Sequence, residues 1–334
     1  MTPLLLRRVA KAFADGHACA PSETAGDALS AYSELLETSI AARLPREEWS
    51  FVQSCAHQHH QTLRAAQQHR LDQAGQLADA VWSRVRSRRL SLVGELLVQV
   101  LLPPADAYLL YRLEQYDRAR DVIWQVSAVD HRLITEFGYV LLSAHRLQLG
   151  HNLLRIHTRL AEHGQAVDLA RTLLDYVELR EEPLSSELLS PRAALDSVPV
   201  TVLGHYFDQI CSEVALLLAG RNDATNRALF QPLAAHAEPD RCPDHGVGAH
   251  AHAWLRLKRL ALAGDVEPFL LTAADLLSRG RMSAAPLWFA TIIEAAGICR
   301  SLGREGAILA DDMVATAATF ADAPWVLKQP VPAH

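Results

Sequence analysis

Residues 160–175 read LAEHGQAVDLARTLLD, and residues 260–276 read LALAGDVEPFLLTAADL. Aligned on their glycines, Leu160 falls on Leu260, Ala161 on Ala261, Gly164 on Gly264 and Leu169 on Phe269. Each phrase closes one apolar helix, turns at a glycine and opens another. A helix–turn–helix phrase that recurs along a chain is how helical repeats are written. Such arrays bind partners more often than they perform chemistry.

Composition agrees. Half of the 334 residues are hydrophobic and 21% are charged, the balance of an ordinary globular protein. Alanine, leucine, arginine, glutamate and glutamine dominate, while β-branched runs are nearly absent, so an all-α fold is expected. A net charge of −6 argues against bulk nucleic-acid binding, which needs cations to displace counterions from phosphate. The local run Arg84, Arg86, Arg88 and Arg89 reads as the solvated end of a helix. Five scattered cysteines, Cys19, Cys55, Cys211, Cys242 and Cys299, contain no CxxC pair and suit a reducing compartment. The N-terminal MTPLLLRRVAKAFAD has too short an apolar run for a secretory signal. Leu92 to Leu102 is the most apolar stretch, but it carries Glu95 and Gln99 and is too short to span a bilayer. A cytoplasmic protein with no membrane association is expected.

Punctuation divides the chain. Residues 1–102 read as an N-terminal helical region, and Pro103–Pro104 interrupt it. Helix pairs follow over 103–182, with a turn near Gln115–Tyr116 and a break near Gly138. The stretch 183–199, holding Pro183, Pro191 and Pro199, is expected to be a linker or irregular excursion. C-terminal helical repeats occupy 200–322, and 323–334 form a tail.

The segment YLLYRLEQYDRARDVI, residues 108–123, resembles a tetratricopeptide helix pair: an aromatic-bearing helix, a turn, then a small Ala119. With the phrases at 160 and 260, the chain is similar to the tetratricopeptide-like superfamily over 105–180 and 250–321, although no repeat carries the full consensus. The resemblance implies a helical-hairpin array with right-handed superhelical winding and a concave groove for a peptide or protein partner. It also implies that asparagine and arginine on first helices clamp a carboxylate or backbone.

The helix YVLLSAHRLQLGHNLLRIHTRLAEHG (139–164) holds the best candidates. At about 100° per residue, His145, Gln148, Asn152, Arg155 and Arg159 share one quarter of its circumference. Leu149, Leu153, Ile156 and Leu160 form one apolar face, and Leu147 and Leu154 a second. A polar stripe between two apolar faces suits an inner helix of an array. Asn152 offers paired donor and acceptor groups and Arg155 a bidentate fork. The stripe equally suits a face turned to water or paired with acids on a neighbouring helix.

Two histidine-rich segments carry the competing reading, a metal-dependent all-α enzyme or accessory protein. Cys242, His245, His250 and His252 combine thiolate and imidazole donors that zinc favours, but no second standard pair completes the set. A proline-rich loop leading into a helix explains them as well. Cys55, His57, His59 and His60 would need ligands from other helices. No GxSxG, HExxH, P-loop or GxGxxG signature is present. The sequence therefore points to a scaffold or regulator that binds protein or peptide, with no cofactor. Exposed ends of an array also leave room for a homo-oligomer.

Overall fold

The structure, a computed structural model, describes residues 2–17, 24–179, 188–220, 222–238, 248–281, 284–324 and 327. It is all-helical, with no strand among the described residues. The helices are α1 (Thr2–His17), α2 (Thr24–Ala41), α3 (Arg46–Gln67), α4 (Leu71–Arg86), α5 (Leu92–Leu101), α6 (Pro103–Arg112), α7 (Tyr116–Phe137) and α8 (Leu142–Arg159). They continue with α9 (His163–Leu174), α10 (Arg192–Leu195), α11 (Val200–Leu218), α12 (Ala224–Phe230), α13 (Ala249–Ala263), α14 (Val266–Ser278), α15 (Ala285–Arg300) and α16 (Arg304–Ala318). A π-helical turn, Asp175–Leu179, extends α9, and a 3₁₀ segment, Gln231–Ala237, extends α12.

The chain divides into two compact units. One comprises Gly26–Ala161 with Leu179–Leu203. The other comprises Met1–Ala25, Glu162–Glu178 and Gly204–His334. No unit boundary falls at 102, while those at 178/179 and 203/204 lie close to the expected breaks at 182 and 199. Helix α1 belongs with α14 and α16, not with α3 to α5. The described part of the proline-rich stretch is not a loose excursion either. Leu188, Leu189, Ala194, Leu195 and Val198 are all buried, and Pro191 caps the single turn of α10. Its leucines give the segment a reason to pack that its prolines concealed.

Within the unit built on residues 26–161, α3 packs on α4, α5 and α6, and α7 packs on α5, α6 and α8. Its core joins Phe51, Val52 and Cys55 of α3 to Val81, Leu97, Val100, Leu133 and Leu142. Taken together, α5 and α6 (Leu92–Arg112) are long and apolar enough to cross a membrane by length and composition, with a mean hydropathy of 1.3. They are nevertheless two helices, broken at Pro103, which takes the first position of α6 where its missing N–H costs little. Half of that apolar window is buried in the protein. In the second unit α13 packs on α14 and α15, α14 on α15, and α15 on α16. The set α3, α4, α6 and α7 shows the same order of neighbours.

A shared turn reveals the register behind this pattern. His69, Glu114, Ala161 and Gly264 lie at φ 59°, 60°, 57° and 79°, each at the end of one helix and one residue before the next helix's cap. At 69, 114 and 264 the turn closes with two reverse hydrogen bonds: from His69 N to Ala66 O and Arg70 N to Ala65 O, from Glu114 N to Tyr111 O and Gln115 N to Leu110 O, and from Gly264 N to Ala261 O and Asp265 N to Leu260 O. This is the Schellman arrangement. Counted from the left-handed residue, positions five, nine and twelve onward are buried in all four following helices: Ala74, Ala78 and Val81; Ala119, Ile123 and Val126; Ala166, Ala170 and Leu173; Phe269, Ala273 and Leu276.

The glycine alignment was therefore off by three residues. Ala161, not Gly164, is the equivalent of Gly264. Gly164 lies inside the first turn of α9 with nothing within 4 Å of where a Cβ would stand. The first three turns are 45 and 47 residues apart, longer than the roughly 34 of a tetratricopeptide, because the first interval holds three helices, α4, α5 and α6, and the second holds the 22-residue α7 and the 18-residue α8.

The register has a direct test. Ala161→Gly relieves a left-handed Cβ and is expected to stabilise by about 0.5–1 kcal/mol, while Gly264→Ala is expected to cost about 1 kcal/mol or more. Gly164→Ala, within a helix, should stabilise by about 0.5–1 kcal/mol. Urea midpoints read all three. A loss at Gly164 matching the loss at Gly264 would restore the glycine alignment.

Candidate functional site

Helix α8 enters buried and leaves half-exposed, and this divides the polar stripe. Near its C-terminal end Asn152 and Arg155 line a narrow slot with Tyr108 and Tyr111 of α6. Pro104 and Ala107 of α6, Ile123 of α7 and Ile156 of α8 supply the apolar lining. Arg159, one turn beyond Arg155, donates from Nε to the Tyr111 hydroxyl at 2.7 Å. Tyr108, Tyr111 and Tyr116 form a ladder, with ring centroids 6.2 and 5.5 Å apart. Partial burial, with the nearby Glu114 charge, pushes the Tyr116 phenol up from its ordinary range, so it stays neutral.

The slot holds about 30 Å³, room for two or three water-sized groups. A side-chain tip or a carboxylate fits. No serine, cysteine, histidine, aspartate or glutamate lines it; the ionisable side chains on its wall are Arg155 and the phenols of Tyr108 and Tyr111. Its polar groups are an amide, a guanidinium and phenols, which suit recognition.

The other stripe residues go elsewhere. Gln148 is exposed and does not line the slot. His145 turns inward, its Nδ1 2.7 Å from Oδ2 of the fully buried Asp130. Burial works against charge on His145, but Asp130's charge and hydrogen bond outweigh it, and the imidazole is raised above its ordinary range. Burial also raises Asp130, against the pull of His145 and Arg146. Arg146 is wholly buried and donates to Leu188 O at 2.9 Å, Ser127 O at 2.8 Å and Leu189 O at 3.2 Å. A periodicity count could not see that α8 is closely packed on nearly every side from Leu142 to Leu147, with Gln148 the first exposed residue.

The metal candidates do not assemble. Among the described residues no group of three or more His, Cys, Asp or Glu side chains is placed to hold a metal ion. Cys242 and His245 lie outside the described residues. His250 and His252 diverge: burial and Arg279 lower the His250 imidazole, while His252 stacks on Phe207 at 4.5 Å. In α3, Cys55 is buried in the core and His59 Nε2 lies 2.9 Å from Asp106, which also accepts from Trp82 Nε1 at 2.8 Å. His57 and His60 instead line a trough of about 710 Å³ between α2 and α3.

One cluster had almost no sequence signal. The π-helical turn after α9 aims Asp175 and Glu178 at the fully buried His236, whose Nε2 is 2.9 Å from Asp175 and whose Nδ1 meets Glu178. His252 places Nε2 3.3 Å from the same Glu178 and Nδ1 3.2 Å from the carbonyl of His236. All four ring nitrogens thus face oxygens. Burial lifts the neighbouring Asp208 carboxyl to about 6, against backbone N–H groups of Ala251 and Gly248, and holds the Cys211 thiol well above its usual range. Cys211 is thus an inert core thiol. Asp175 and Glu178 share a face at three-residue spacing, but nothing local ties them to a histidine some 60 residues on.

Comparison of the chain with models of known protein families, with curated proteins and with solved structures finds no match in any of the three.

Proposed function

We propose that this chain is a cytoplasmic helical-hairpin module of tetratricopeptide-like kind, a scaffold or regulator that captures a peptide or protein partner at the slot between α6 and α8. The observation that carries this reading is the meeting of Asn152 and Arg155 with Tyr108 and Tyr111 in a slot with no serine, cysteine, histidine or carboxylate on its wall. Tyrosine and arginine are the residues on which interface energy concentrates. The recurring Schellman turn and the repeated order of neighbours support a repeat-built array, and the resemblance implies right-handed winding. Within the slot, the resemblance assigns a partner carboxylate to Arg155, its adjoining backbone to Asn152, and an apolar tip to the Ile123 and Ile156 floor.

The test is selection from a displayed random-peptide library with free C-termini. Peptides selected on the parent chain are expected to bind Asn152→Ala/Arg155→Ala some 30- to 100-fold more weakly, about 2–3 kcal/mol for two hot-spot side chains. Both residues are half-exposed, so the double variant should keep its helical circular dichroism. Selected peptides that bind the variant as well as the parent would move the binding site elsewhere.

A further inference from the structure

The end of α4 carries a second surface with a different chemistry. Arg84, Arg86, Arg88 and Arg89 are all exposed, and no aspartate or glutamate occurs between Asp79 and Glu95. None of the four has an acidic partner among the described residues. Two are pre-positioned: Arg84 and Arg88 stack on Phe51, with guanidinium carbons 5.1 and 4.6 Å from the ring centroid. Stacking leaves the N–H edge of a guanidinium available to an anion, although Arg84 already spends Nη1 on Ser54 and Gln58. Glu48, the carboxylate placed beside them, is already spent, since its Oε1 accepts from the backbone N and the hydroxyl of Ser91 at 2.7 Å each.

This patch runs into the α2–α3 trough. Arg84 Nη1 donates to Ser54 Oγ at 3.0 Å, and Ser54 lines the trough with the apolar Leu36, Ile40 and Trp49 and with Glu37, whose Oε2 accepts from Gln53 at 2.8 Å. At about 710 Å³ the trough is far larger than the slot and takes a whole side chain or more. Arg84, one of four exposed arginines, thus reaches the edge of a recess in which Leu36, Ile40 and Trp49 stand beside Glu37, His57 and His60.

We propose that this face docks an acidic peptide segment of a partner protein, its carboxylates on the arginines and an apolar side chain beside Trp49. The chain's net charge of −6 decides between polyanions. A long phosphate backbone would leave a patch of six residues and run over acidic surface. A short acidic segment stays on the patch, and it alone brings an apolar group for the trough. This surface is independent of the α6–α8 slot.

Fluorescence anisotropy on the full chain tests it with three labelled probes: a 12-residue Glu/Asp peptide containing two leucines, the same peptide with Gln/Asn for its acids, and a 20-base-pair DNA duplex. The acidic peptide is expected to bind in the micromolar range, weakening as salt rises from 50 to 200 mM, with the neutral peptide at least tenfold weaker. Arg86→Gln/Arg89→Gln leaves Phe51 untouched and should weaken the acidic peptide at least fivefold. Ser50→Trp, placed to fill the trough, should do so at least tenfold, while Asn152→Ala/Arg155→Ala should change nothing. Absence of acidic-peptide binding, equal binding by both patch variants, or DNA binding as tight as the peptide would each overturn the proposal. Loss of binding in the Asn152/Arg155 variant alone would return the peptide to the α6–α8 slot.

Discussion

Lys258→Met is expected to cost about 3–5 kcal/mol of stability at neutral pH, as breaking a buried ion pair from one side does. Lys258 and Glu294 are both fully buried. The ammonium satisfies all three of its N–H groups on Glu294 Oε1, Leu218 O at 2.7 Å and Asn222 Oδ1 at 3.2 Å. Burial lowers Lys258 from its usual range, with Glu294 pulling the other way, and burial raises Glu294 against the pull of Lys258. Without the lysine, Glu294 keeps only its hydrogen bonds to Gly220 and Asn222 as a charged group. A carboxyl raised on folding contributes stability below its ordinary range, lost as pH rises through its folded value. The defect should therefore shrink as pH falls toward 5. Lys258→Met/Glu294→Leu, which removes both charges, should recover most of the loss and end within about 1 kcal/mol of the parent. Urea unfolding at two pH values reads all of this. A single variant within 1 kcal/mol of the parent at pH 7 would mean the pair is not desolvated.

The contrast between this pair and the groove shows what a sequence can carry. The all-α class followed from composition, and the Gly138 break followed from a residue that takes φ 69° at no cost. Asn152 and Arg155 were legible because one helix face is a local property. The register was misread because three of the four equivalent turns place histidine, glutamate or alanine in the left-handed position. Glycine marked one turn correctly and one helix interior wrongly, while the turn near Gln115 was placed without a glycine. Lys258–Glu294, Arg146 and the His236 cluster were invisible for another reason. A charged residue in a helix reads as a solvated face until the partner 36, 42 or 61 residues away is known.

Arg146→Met is the second large expected effect, and it links that hidden chemistry to α8. Three carbonyls, of Ser127, Leu188 and Leu189, would lose a donor inside the protein, each loss costing about 1–3 kcal/mol less what methionine packing returns. A net loss of about 3–4 kcal/mol is expected. Arg146→Lys should rescue little, because one ammonium on a flexible stem cannot reproduce a fork aimed at two separate segments. Hydrogen exchange should quicken first at residues 188–198, the stretch whose carbonyls Arg146 holds. The variant also carries an electrostatic signature that lost packing alone would not produce. Arg146 depresses both Asp130 and His145, so its removal should raise both further. His145, raised on folding by Asp130, contributes stability that is full below about 6.5 and lost as pH rises through its folded value. In Arg146→Met that loss should move to higher pH, followed by NMR of the His145 ring and by urea midpoints between pH 6 and 9. A His145 titration that stays in place, with exchange at 188–198 unchanged, would mean that Arg146 does not tie α8 to Leu188 and Leu189.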